Sequence, residues 1–157
     1  VTRIAILAVG ERPPAWVETA VAGYLVRIPK SFAPRVIEIA PGRQRRAGDV
    51  ARAVIDEGER VLAAVPAGAR LVLLDERGES WRSNDLAKRL ATWSHESRPT
   101  MLAIGGPDGH AEAVRKRADF AWSLSALTLP HALVRVVLAE QLYRAWSINA
   151  GHPYHRE

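Results

Sequence analysis

The chain has 157 residues, 48% of them hydrophobic and 25% charged, the proportions of one ordinary globular domain, which excludes a disordered tail, a collagen-like repeat and a multidomain machine. Twenty-two basic against seventeen acidic side chains give a net charge of +5, which points to an anionic partner. The absence of cysteine excludes disulfides and thiolate metal sites, and no run approaches the roughly 20 apolar residues of a membrane span. Nineteen of the 22 cations are arginine, which suits phosphate recognition and would equally follow from coding bias. The excess is scattered, with one cluster at Arg43, Arg45 and Arg46, so nothing resembles a polybasic arm. Val1-Thr2-Arg3 leads straight into a strand pattern without the features of a signal peptide, and the reading is a cytoplasmic protein of one domain, 1–157.

In chain order, Ile4–Val9 (IAILAV) predicts a first strand, Ala15–Arg27 a helix with Trp16, Ala20, Gly23 and Tyr24 on one face, and Pro29 its stop. Arg35–Ala40 (RVIEIA) predicts the second strand. Asp49–Val65 and Ser83–Glu96 predict helices with Asp49 and Ser83 as N-caps, on either side of a third strand, Arg70–Asp75 (RLVLLD). Thr100–Gly105 (TMLAIG) predicts a fourth strand and Asp119–Leu124 (DFAWSL) a weaker fifth. Near-continuous apolar runs alternating with helices argue for an α/β fold with a mostly parallel sheet buried on both faces. The last helix, Ala132–Ile148, distributes Leu133, Val137, Leu142, Tyr143 and Trp146 around most of its circumference, so it needs cover on more than one side, and a second copy of the chain is the expected second cover. Glu140 and Arg144 stand at i,i+4, the spacing of an ion pair. After it, Gly151 and Pro153 forbid a helix in the tail Asn149–Glu157 (NAGHPYHRE).

The P-loop, dinucleotide and nucleophile-elbow fingerprints are absent. Ile104-Gly105-Gly106-Pro107-Asp108-Gly109 follows a strand, where glycines let a ligand approach the backbone and make positive φ cheap; a tight turn with no ligand has the same pattern. Trp122–His131 (WSLSALTLPH) ends a strand and could line a pocket, with Ser125 and Thr128 as hydrogen-bonding groups between Leu124, Leu127 and Leu129, or be a buried strand end. His152-Pro153-Tyr154-His155-Arg156 lacks a third ligand for a metal, whereas tyrosine stacking, an arginine cation and a histidine that titrates near neutrality suit RNA chemistry. His95 and His110 read as solvated, Trp16 and Trp93 as core, and Trp81 stays undecided.

Over essentially the whole chain, through the AVG of residues 8–10, Pro14-Ala15-Trp16-Val17, the IGGPDG turn, residues 122–148 and NAGHPYHRE, the sequence resembles the bacterial ribosomal large subunit methyltransferase H family. The resemblance implies a minimal SPOUT-class methyltransferase: a parallel α/β sheet whose C-terminal part is threaded into a trefoil knot. It implies S-adenosylmethionine bound at Leu74, Gly105, Leu124, Ser125, Ala126, Leu127, Thr128 and Leu129, with no metal, and a homodimer formed through the helix of residues 132–148. The implied reaction is methylation of N3 of a pseudouridine in the helix 69 loop of 23S rRNA within the 70S ribosome. Val1 stands where an initiator Met is usual, Asp108 where Glu is more familiar, and residues 41–66 match loosely.

For such a transfer the protein must orient the methyl donor and manage one proton. The catalytic candidates are His155 as base or hydrogen-bond partner, Arg156 as the cation that stabilises the anion, and Tyr154 packing on the flipped base. The alternatives are a non-enzymatic RNA- or ribosome-binding module that retains the cofactor fold, and a methyltransferase acting on another RNA or on protein.

Overall fold

In the computed structural model, which describes residues 3–32 and 34–156, β1 (Ile4–Val9), β2 (Arg35–Ile39), β3 (Arg70–Ser80), β4 (Thr100–Ile104) and β5 (Phe120–Ser123) form one parallel sheet in the order β2-β1-β4-β3-β5. The helices are α1 (Ala15–Leu25), α2 (Val50–Ala63), α3 (Ser83–Ser94), α4 (Glu112–Arg117) and α5 (His131–Ala150), with 3-10 turns at Arg43–Ala47 and Pro153–Arg156. The expectations for Val1 and Thr2 at the chain start lie outside the described residues, as does Glu157 at the end of the tail. No described helix is long and apolar enough to cross a membrane.

Successive strand residues face opposite layers. Ile6, Val72, Leu74, Leu102 and Ile104 pack with Leu86 and Trp93 of α3 and Leu138 and Leu142 of α5. Ala5, Leu7, Leu71, Leu73, Met101 and Ala103 join Val61 of α2 and Val114 of α4 on the other face. Helix α1 lies on the α5 side, where Val17 and Val21 meet Ala139. The β4 strand, flanked by β1 and β3, is buried along its whole length, which is why its sequence is a continuous apolar run.

Several expectations need correction. Strand β3 runs to Ser80, beyond Asp75, because an irregularity between Leu74 and Glu79 brings both residues into register with Trp122. Gly78 closes this excursion: a Cβ there would stand 2.5 Å from the backbone carbonyl carbon of Ala121. Asp49 does cap α2, its Oδ1 accepting from the Arg52 amide at 3.1 Å. At α3 the N-cap is Arg82, whose amide donates to Asp85 at 2.8 Å, while the Ser83 hydroxyl donates to Gln141 of α5 at 2.6 Å. The tail does form a 3-10 turn; Pro153 opens it, where a missing N–H costs nothing.

Much of the cover of α5 comes from its own chain. It packs between α1 and α3, and the tail folds back on it through Tyr154, whose ring lies 4.5 Å from that of Tyr143. Trp146 stacks on Tyr143 at 5.9 Å, and Leu133 stays exposed. Glu140 pairs with Arg144 as the spacing predicted. Trp93 is core, but Trp16 is 59% exposed, and Trp81 stacks on Trp122 at 5.1 Å.

Gly78→Ala tests the constraint on β3. The atoms that a methyl group would strike are backbone and cannot rotate away, so a destabilisation of about 1–3 kcal/mol is expected. Urea unfolding measures it, and a midpoint equal to that of the unaltered chain would show that the strand crossing is not tight.

Candidate functional site

A cavity of about 500 Å³ opens at the carboxyl ends of β4 and β5, beside the β3 excursion that follows Leu74. That is where ligands bind in open parallel sheets, and the volume is that of a small-molecule site. Its walls come from three segments: Leu74–Arg77 in the β3 excursion, the glycine turn at Gly105–His110, and the loop that leads from β5 into α5. Of the residues singled out from the sequence, Leu74 and Gly105 line it, as do Leu124, Ser125, Leu127, Thr128 and Leu129. Ala126 lies in the same loop, exposed, and is not part of the wall.

Local hydrogen bonds set the shape of each wall. The Ser123 hydroxyl donates to the Ser125 carbonyl at 2.9 Å, and the Ser125 hydroxyl oxygen accepts from the Leu127 amide at 2.9 Å, so the loop is tied to itself. The Thr128 hydroxyl reaches Glu76 at 3.3 Å and connects this loop to the β3 excursion. Gly105 leaves little room for a side chain, since a Cβ would lie 3.1 Å from the Gly109 carbonyl carbon and 3.2 Å from the His110 ring. Gly109 has φ +82°, the left-handed conformation that glycine adopts freely.

The cavity rim is rich in charge that the sequence reading did not single out. Asp75 faces Arg115, which holds its carboxyl by a close ion pair, and accepts from the Arg77 amide at 3.0 Å. Burial opposes ionisation of Asp75, but these bonds and the two guanidinium charges outweigh it and hold its pKa below the usual carboxylate value. His110 is not solvated: its Nε2 stands 3.0 Å from the Leu74 carbonyl, joining the glycine turn to β3 where its excursion begins. Burial, and then the charge of Arg115, lower its pKa against the opposing pull of the Leu74 carbonyl and of Asp75; in the neutral ring Nε2–H is the donor. His131, the first residue of α5, is lowered by burial and by Arg135. Two cavity residues carry a buried ring nitrogen with no partner among the described residues, Trp122 Nε1 and His131 Nε2. Among the described residues no three carboxylates or imidazoles stand together as a metal site would need.

The basic cluster divides in the structure. Arg43 and Arg46 are exposed, whereas Arg45 turns inward and grips buried Glu57 at 2.5 and 3.0 Å. Its third nitrogen, Nε, donates to Asp108 at 2.7 Å. The spacing of arginines in sequence carries no sign of this, because the partners are 12 and 63 residues away.

The tail residues stand elsewhere. The Tyr154 hydroxyl donates to Glu140 at 3.1 Å; burial and that carboxylate push its pKa up to about 12. His155 sits in a groove with Arg82, Ser83, Asn84 and Gln141, and Arg156 is exposed. None of the three lines the large cavity. Since α5 begins at that cavity and rises ~1.5 Å per residue, Glu140 lies ~13 Å further along the helix.

Comparison with known proteins gives a consistent result. The family described as "Predicted SPOUT methyltransferase" matches residues 2–155. The ribosomal RNA large subunit methyltransferase H of Thioalkalivibrio sulfidiphilus is 50% identical over 155 residues, which cover 99% of each chain. The protein of that name from Methylococcus capsulatus is 49% identical over 151 residues, covering 96% of this chain and 97% of its own. Among solved structures, a methyltransferase of Legionella pneumophila with bound cofactor SAM aligns with a TM-score of 0.51 at 11% identity, over 92% of this chain and 66% of that one. A methylase-family protein of Haemophilus influenzae aligns at 0.53 and 12% identity, over 98% and 69%. At these identities the two structures speak for the fold alone.

The histidine environment gives a pH dependence. An unfolded histidine titrates near 6.5 while folded His110 titrates lower, so below pH ~6.5 the unfolded state binds more protons and stability falls toward the folded pKa. Above ~6.5 both states are neutral and the contribution is complete. Thermal melts from pH 8 to 5 should show Tm falling below pH 6.5, and less so in His110→Gln, which keeps a donor for the Leu74 carbonyl but does not titrate. Equal falls in both proteins would refute the assignment.

Proposed function

The chain belongs to the SPOUT methyltransferase family, and on that premise we propose that it transfers a methyl group from S-adenosylmethionine to N3 of a pseudouridine in the helix 69 loop of 23S rRNA, on the assembled 70S ribosome. One observation carries the reading: seven of the eight residues that the resemblance assigns to the cofactor line one cavity beside the β3 excursion and the carboxyl ends of β4 and β5. The residues fit a ligand that joins an apolar ring system to cationic groups. Leu74, Leu124, Leu127 and Leu129 give apolar walls, and Asp75 and Glu76 give carboxylates for an ammonium and a sulfonium. The unpartnered nitrogens of Trp122 and His131 leave polar valences for it to meet. When bound, the cofactor supplies an electrophilic methyl group.

The chain's own part is orientation and one proton. Aligning the methyl group with N3 supplies most of the acceleration. N3–H is weakly acidic, so a base or a nearby cation must favour its anion. Tyr154, with a pKa near 12, keeps its proton near neutral pH and is suited to packing on the base or donating to it, not to accepting its proton. That leaves His155 as base or hydrogen-bond partner and Arg156 as the cation. Because the tail lies along α5, away from the cavity of its own chain, these residues can act only in the cavity of a second copy, and the working unit is a homodimer that uses the helix of residues 132–148. The strand order, with β5 placed outside β3, accommodates the C-terminal knot of the SPOUT class. Such a dimer acts in the cytoplasm, where ribosomes assemble.

Titration calorimetry with S-adenosylmethionine, and tritiated methyl transfer to free 23S rRNA, 50S subunits, 70S ribosomes and tRNA, test the proposal. Binding heat together with transfer to 70S is the expected result; a folded protein that gives no heat would be a binding module, and transfer to tRNA alone would reassign the substrate. Arg156→Ala and His155→Ala should each lower transfer by about 10²-fold or more with cofactor affinity within about twofold of wild type. Equal loss of both properties would remove the tail from catalysis.

A further inference from the structure

We infer that Arg45 is a positioning residue for the cofactor cavity, acting through Asp108 of the glycine turn; the inference rests on the reading above that this cavity takes S-adenosylmethionine. The arginine sits on a 3-10 turn outside the cavity wall. Its anchor is Glu57, a carboxylate on α2 that is 3% exposed and accepts three hydrogen bonds, from the Gly42 amide at 2.7 Å and from two nitrogens of Arg45. A buried carboxylate held in this way fixes the plane of the guanidinium, and a fixed plane fixes the direction of the Nε–H. That N–H points to Asp108, 2.7 Å away, in the middle of the turn that forms one cavity wall.

A second contact ties the same carboxylate to the same turn. A Cβ on Gly106 would lie 3.2 Å from Glu57 Oε1, so the backbone of the turn rests against the carboxylate and Arg45 reaches over it to Asp108. The turn between Gly105 and His110 is thus seated from beneath by Glu57 and held from outside by Arg45. Preorganising a wall by a shell of packed, hydrogen-bonded neighbours lowers the cost of ordering it when a ligand binds.

Calorimetric titration of the full chain with S-adenosylmethionine tests this. Asp108→Asn keeps the shape and removes the charge, and it should weaken binding about tenfold or more, the equivalent of one hydrogen bond to a charged group, with Tm within about 3 °C of wild type. Asp108→Glu restores the carboxylate and should recover the affinity. Arg45→Gln keeps a donor for Glu57 and should weaken binding to a similar extent, and in that background Asp108→Asn should cost nothing further, because its partner is already gone. Arg46→Ala, on the same turn but exposed, should bind as wild type. Additive losses from Arg45→Gln and Asp108→Asn would mean that Asp108 meets the ligand directly and would overturn the inference, as would wild-type affinity in Asp108→Asn. A wild-type protein that does not bind S-adenosylmethionine would overturn the functional reading first.

Discussion

The backbone of Gly78 passes so close to Ala121 and Trp122 that no side chain fits between them, and the geometry of the large cavity depends on that crossing. Leu74 and Glu79 both register with Trp122, so the residues between them must leave the plane of the sheet. In doing so they carry Asp75, Glu76 and Arg77 out as a cavity wall. Sheet pairing on either side holds the excursion at both ends, so a segment that would otherwise be a loose loop is as fixed as the strand it interrupts. The glycine turn and the β5–α5 loop then face a wall whose position is set by the core.

Polar groups on this rim are arranged in chains, each of which ends on the backbone or on a buried carboxylate. His110 bonds to the Leu74 carbonyl and Arg115 to Asp75, while Arg45 joins buried Glu57 to Asp108, so the glycine turn and the β3 excursion are each tied to an element other than their own. Buried polar networks of this kind stabilise when every member is satisfied, and they favour one arrangement over its near neighbours. Trp122 Nε1 and His131 Nε2 are the exceptions, and both belong to residues that line the cavity.

Much of the fold was legible because the core is two-sided. Runs such as IAILAV and TMLAIG are apolar at every position, which a strand buried on both faces requires, and four of the five strands began at the residue that the run predicted. The β3 excursion was not legible, since its signal is a lone glycine among charged residues and its cause is a neighbour 43 residues later. The N-cap of α3 was misplaced by one residue because Ser83 and Arg82 are adjacent and the deciding group is Asp85. His110 looked like a solvated residue after a glycine turn; only the folding of that turn toward β3 buries it. The cover of α5 was attributed to a second copy, although a helix flanked by two others on one face of a sheet also needs apolar residues on several sides, and α1 and α3 supply much of that contact.

The division of the basic cluster has a consequence for ionic strength. Charges on the exposed Arg43 and Arg46 act through water, where salt screens them within a Debye length of ~8 Å at physiological concentrations. Arg45 and Glu57 face each other largely out of water, at 20% and 4% side-chain exposure, where mobile ions cannot come between them. The same short run of arginines therefore holds one charge that is insensitive to salt and shapes the cavity, and two that fade as salt rises. Grip on an anionic surface can weaken in concentrated electrolyte while the cavity keeps its form.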